Sequence, residues 1–133
     1  MITRQKKKRL QRQEIISQWL DLYPQQKMDY SQGNDNRIIL LIPHSQNWSI
    51  RKFLPTPKRP AQRIHLDEIG SFVWLYFDSK HNLQSISRMA EEKFAERIQP
   101  ARERIVLFTQ QMYKQKFITM HARPFNESTP LVE

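Results

Sequence analysis

The sequence predicts a small α+β domain of winged-helix-like order: three N-terminal β-strands followed by three α-helices, with an additional helix in front. Three observations carry this. Between positions 37 and 66 the apolar residues come in short runs and alternations suited to strands, and from Asp67 onward they recur at helical spacing. Prolines and Asx residues stand at the ends of those segments, where turns and caps are needed. A chain of 133 residues, 38% hydrophobic and without cysteine, has room for one modest core held by packing alone.

The first residues are dominated by Lys6-Lys7-Lys8-Arg9, and residues 1–9 are expected to be mobile. From Leu10 to Tyr23 the pattern turns helical, with Ile15, Ile16, Trp19, Leu20 and Tyr23 on one face. Pro24 should stop that helix, leaving Gln25 to Asn36 as a polar linker. Such a basic amphipathic helix could touch a membrane through residues 4–23 or grip a partner; packing on its own domain is the simpler account. The domain itself is placed at 36–121, after a basic extension at 1–35 and before a tail at 122–133.

Within the domain, Arg37 to Ile42 contains the branched run Ile38-Ile39-Leu40-Leu41-Ile42, read as a buried strand. His44 to Asn47 is a turn, and Trp48 to Leu54 alternates as a second strand. Pro55, Pro57 and Pro60 stiffen the connection to a third strand, Gln62 to Leu66. There Ile64 and Leu66 point inward, Arg63 and His65 outward. Asp67 is a good cap for the first helix, whose stripe is Ile69, Phe72, Val73, Tyr76 and Phe77. The turn from Asp78 to His81 ends it. Asn82 caps the second, with the stripe Leu83, Ile86, Ala90, Phe94 and Ile98. Pro100 suits the start of the third, which presents Ile105, Phe108, Met112 and Tyr113. Phe117 to His121 forms a last short strand. With two glycines in the chain, positive-φ turns should be few.

Several function classes are disfavoured. A glycine-rich phosphate loop cannot be built, and there are no thiolate ligands or nucleophiles. His44, His65, His81 and His121 are scattered without metal spacing. Asp67-Glu68 is explained by capping and the helix dipole rather than acid–base work, and Ser71 has no partner motif. No catalytic residue, cofactor or metal is expected. Trp74 lies off the main stripe; core packing is the simpler account, and a dimer face or a seat for the first helix are the alternatives. With no secretory pattern and no apolar run near the ~18 residues of a membrane span, cytoplasm is the expected compartment. The net charge of +9 favours acidic partners, although Lys6 to Arg9 alone supplies four positive charges.

The stretch Arg63-Ile64-His65-Leu66-Asp67-Glu68-Ile69-Gly70-Ser71-Phe72-Val73-Trp74, followed by Ile86-Ser87-Arg88-Met89-Ala90-Glu91-Glu92-Lys93-Phe94, resembles the PqqD family of peptide-carrier proteins, the recognition elements of peptide-modification pathways. The likeness covers roughly residues 36–121. It implies binding of a precursor's leader peptide as a strand beside Gln62 to Leu66, in a groove against the third helix, and presentation to a modifying enzyme, often a radical-SAM enzyme. Carried onto this chain, the peptide contacts are Arg63, Ile64, His65, Leu66, Arg102, Ile105, Val106, Thr109 and Tyr113. Arg63, Arg102 and Lys114 would suit an acidic peptide. The N-terminal helix and the Pro55–Pro60 connection are additions to the family pattern. Lys116 stands where the family often has glycine. Coenzyme PQQ synthesis and a related pathway are equally open.

The rival reading is a winged-helix DNA-binding protein, invited by a pI of about 10. The second helix, with Glu91 and Glu92, would repel phosphate; the third, with Arg102, Arg104 and Lys114, fits better. The family resemblance favours the peptide.

Overall fold

The computed structural model describes residues 3–43 and 62–124. The expected turn at 44–47, the strand at 48–54, the proline-rich connection and the tail from 125 onward lie outside these residues. The fold is α+β. Its elements are α1 (Arg4–Leu20), β1 (Tyr23–Gln26), β2 (Asp29–Gln32), β3 (Ile38–Ile42), β4 (Gln62–His65), α2 (Glu68–Leu75), α3 (Leu83–Phe94), a 3₁₀ turn (Ala95–Ile98), α4 (Ala101–Lys114) and β5 (Ile118–His121). They form two compact units, Met1–Lys27 with Phe72–Glu133, and Met28–Ser71. The chain passes from the second to the first within α2.

In the first unit α1 begins at Arg4, not at Leu10. Lys, Arg and Gln are good helix formers, and the Thr3 hydroxyl accepts the Lys6 N–H at 3.2 Å, so propensity and a cap overcome the charge run. Ile16 and Leu20 are buried, Trp19 meets the Tyr113 ring edge-on at 5.9 Å, and Ile15 stays exposed. The helix packs on α4. It ends at Leu20, before Pro24, which lies in β1.

The expected polar linker at 25–36 is instead structured, holding part of β1 and all of β2. β1 pairs antiparallel with β5, from Tyr23 opposite His121 to Gln26 opposite Ile118. It also ties the helices together. The Gln26 N–H reaches the Phe77 carbonyl at 3.0 Å, its side-chain amide donates to the Trp74 carbonyl at 2.7 Å, and Ser79 N–H donates to the Pro24 carbonyl at 2.8 Å. At the end of α2, Val73, Trp74 and Phe77 are buried. Trp74 is 0% exposed, so it is a core residue and not a dimer face.

The Asn82 side chain caps α3 by accepting the Ser85 N–H at 2.8 Å. Leu83, Ile86, Ala90, Phe94 and Ile98 are all buried. Ala95, at φ 50°, breaks the helix, and the 3₁₀ turn delivers Ile98 to the core. α4 ends in a Schellman motif: Phe117 N–H donates to the Met112 carbonyl and Lys116 N–H to the Tyr113 carbonyl, both at 3.0 Å. Lys116 takes the left-handed conformation at φ 66°. Asn36, Ser79 and Ala95 also have positive φ, so scarce glycine did not exclude such turns.

The second unit is a meander, in the order β2-β3-β4, antiparallel throughout. The β2–β3 hairpin turns through Asn34, Asp35 and Asn36. Gly33 N–H donates to the Arg37 carbonyl at 2.9 Å, and the Asp35 carboxylate accepts the Arg37 N–H at 3.0 Å. Asn36 at φ 63° supplies the left-handed residue that a three-residue hairpin loop requires. Ile38, Leu40 and Ile42 are buried, as the branched run predicted. Asp67 caps α2 by accepting the Gly70 N–H at 2.7 Å.

Candidate functional site

Among the described residues β4 stands at the edge of its sheet and pairs with β3 alone, Leu40 opposite Ile64 and Leu41 opposite Arg63. Which of its backbone groups face outward follows from one bond. Leu66 N–H donates to the Ile38 carbonyl at 2.9 Å, so 66 and 38 form a hydrogen-bonded pair. Antiparallel pairs alternate between hydrogen-bonded and non-hydrogen-bonded. Ile64 and Gln62 therefore turn their N–H and C=O toward β3, and Arg63 and His65 turn theirs to the open side. The hairpin agrees: the bond from Gly33 to Arg37 puts β3 residues 39 and 41 in register with β2, leaving 38, 40 and 42 for β4.

The ladder is finished by a side chain. Ser71, 3% exposed, places its hydroxyl between the Ile38 N–H, accepted at 2.9 Å, and the Leu66 carbonyl, to which it donates at 3.3 Å. These two backbone groups would otherwise bond each other, so Ser71 acts as the last rung and fixes where β4 meets α2. As a nucleophile Ser71 has no partner motif; the signal for its place in the ladder is its spacing, four residues after Asp67, one turn into a helix that starts at the end of a strand.

Arg63 and His65 are exposed, Ile64 is half-buried and Leu66 is buried, as alternation predicted. The residues expected on the third helix lie differently. Ile105, Val106 and Thr109 are 2%, 1% and 0% exposed, and the Thr109 hydroxyl is satisfied by the Ile105 carbonyl at 2.7 Å. They are packed inside and offer no surface. Arg102 is exposed, and Tyr113 is half covered by its contact with Trp19. α4 belongs to the unit of α1 and α3, and β4 to the other, so the candidate residues on β4 are described by themselves.

The His81 ring Nδ1 lies 2.9 Å from the Asp78 carboxylate in the turn after α2. Partial burial pushes the Asp78 carboxyl up, but hydrogen bonds from the Lys80 and His81 backbone and from the His81 ring outweigh it, holding the group below its ordinary value of 3.8. The pair closes a turn. His121 joins Gln25 and Thr119 at 3.0 Å across β1 and β5. Among the described residues no three His, Asp or Glu side chains converge as metal ligands, and no helix is long and apolar enough to cross a membrane. Comparison with protein-family models, curated proteins and solved structures finds no match.

Proposed function

We propose that this protein is a peptide carrier that takes up an extended peptide as an added strand on the outer edge of β4, without chemistry of its own. The observation that carries the reading is the orientation of Arg63 and His65, whose backbone groups face away from β3 on a strand with no second neighbour among the described residues. An extended peptide satisfies such groups, and side chains beside the strand supply selectivity. The exposed Arg63 guanidinium gives a preference for acidic peptides. The resemblance of Arg63–Trp74 to the PqqD family points the same way, and the α+β class of the fold is compatible with it. On that reading the ligand is the leader segment of a precursor, presented in the cytoplasm to a modifying enzyme of the radical-SAM kind.

Two outward residues offer two N–H and two C=O groups. At about 0.5–1.5 kcal/mol net each, they supply about 2–6 kcal/mol, short of the roughly 8 kcal/mol of micromolar binding. An apolar anchor on the peptide is therefore required. The test is an NMR titration with leader segments of precursor peptides encoded near the gene. Shift changes should map to Gln62–Leu66, and the Arg63 and His65 amides should become slow to exchange. Changes confined to α3, or Arg63 and His65 amides still in fast exchange at saturation, would overturn the proposal.

A further inference from the structure

Apart from the β4 edge, the strongest feature of the surface is the first half of α1. Arg4, Lys6, Lys7, Lys8, Arg9 and Arg12 all lie on it, and every residue from Thr3 to Ile15 is exposed. Among the described residues none of the six cations is joined to a carboxylate. The first acid on the helix is Glu14. The contacts that hold α1 to α4 come from its second half, through Ile16, Trp19 and Leu20, with Gln13 bonded to Glu103 at 3.0 Å.

At roughly 100° per residue the six cations spread around the whole helix and do not gather on one face. Several stand three or four residues apart, as Arg4 with Lys7 and Lys8, and Lys8 with Arg12, so they repel one another until an anion comes between them. A membrane surface is a poor fit. Interfacial helices bury an apolar face, and the exposed apolar residues here, Leu10 and Ile15, are about 140° apart around the helix. A helix of about 10–12 Å diameter, cationic all round, fits instead between two phosphate walls, as in the B-DNA major groove of about 12 Å width.

We propose that the first half of α1 is a docking surface for duplex DNA, gripping phosphates without reading sequence. The interaction is independent of the β4 edge. Phosphate contacts position a protein and carry no base information, so affinity should vary little among sequences and steeply with salt.

The experiment is fluorescence anisotropy of a labelled random-sequence duplex of about 20 base pairs with the full chain, over a range of salt, where up to six phosphate contacts give a log–log slope as steep as roughly −5. The variant is Lys6→Gln, Lys7→Gln and Lys8→Gln together, which keeps good helix formers at exposed positions. It should bind about tenfold or more weakly, with a slope shallower by roughly 2.7. Unchanged far-UV circular dichroism of the variant is expected, since none of the three side chains has a partner among the described residues. If the variant loses helix, Lys6→Arg, Lys7→Arg and Lys8→Arg must retain the wild-type slope for the proposal to stand. No binding by the wild type, an unchanged slope in the glutamine variant, or tighter binding to phosphatidylcholine–phosphatidylserine vesicles than to DNA would each overturn it.

Discussion

The phase of the β4 backbone can be tested by moving a proline one residue along the strand. Arg63 N–H faces the open edge, so Arg63→Pro removes no bond to β3. Proline is tolerated on outer strands in that orientation, and the fold should lose less than about 1 kcal/mol. Ile64 N–H faces the Leu40 carbonyl, which belongs to a buried residue. Ile64→Pro deletes that rung and sets the ring against β3, at a cost of about 3 kcal/mol or more. Peptide affinity should order differently. Arg63→Pro denies the peptide one donor and leaves its carbonyl unpaired, which costs about 1–3 kcal/mol, or roughly 5- to 150-fold in Kd. Arg63→Thr keeps the N–H and separates this loss from that of the guanidinium. Stability is read by urea unfolding, affinity by titration with a leader peptide. Equal destabilisation by the two prolines would refute the backbone phase. An Arg63→Pro protein that binds peptide as the Thr variant does would refute strand addition.

Other changes probe the supports of the site. Ser71→Ala leaves the buried Ile38 N–H and Leu66 carbonyl without their bridge, and should cost about 1–2 kcal/mol after the better helix propensity of alanine is credited; faster amide exchange at Ile38 is the check. Lys116→Gly should stabilise by about 1 kcal/mol, raising Tm by about 3–5 °C, because glycine takes the left-handed conformation without the Cβ penalty. Asp78 has a folded pKa below its unfolded value, so its contribution is present above pH 3.8 and lost as acid protonates it in the folded state. The stability advantage of wild type over Asp78→Asn should shrink steadily as pH falls from 5 through 3.8 and below, and a constant difference would contradict the assignment.

What could be read from the sequence was whatever is encoded locally. The stripe Leu83, Ile86, Ala90, Phe94 and Ile98 is buried throughout because 3.6-residue periodicity needs no knowledge of the partner. The caps Asp67 and Asn82 act as expected for the same reason. β1 was invisible. Tyr23-Pro24-Gln25-Gln26 has no alternation and contains a proline, and it is a strand only because Ile118–His121 and the Phe77 carbonyl take up its backbone groups. β2 was missed likewise, since Asp29-Tyr30-Ser31-Gln32 is exposed along its whole length and is held by β3. In the site, alternation gave the side-chain directions of Arg63 to Leu66. It could not give the open edge, because that depends on a register set at the Gly33–Arg37 turn and locked by Ser71. The helix contacts Ile105, Val106 and Thr109 rest on the family resemblance, and apolar spacing alone cannot tell a groove wall from a core.

An open edge that accepts a peptide can also accept a second copy of itself, and the side chains on β4 bear on which outcome wins. Paired antiparallel with its own copy, β4 would bring two Arg63 side chains onto one small ribbon, with His65 beside them. Like charges across a strand pair are destabilising, and charged residues on short outer strands are a common guard against edge-to-edge association. β4 is only four residues long, so few backbone bonds stand against that repulsion. An acidic peptide reverses the sign of the same interaction and gains from every group that makes self-pairing costly. If β4 takes up a strand as proposed, the side chains that disfavour self-pairing therefore favour a heterologous, acidic strand over a homodimer through β4.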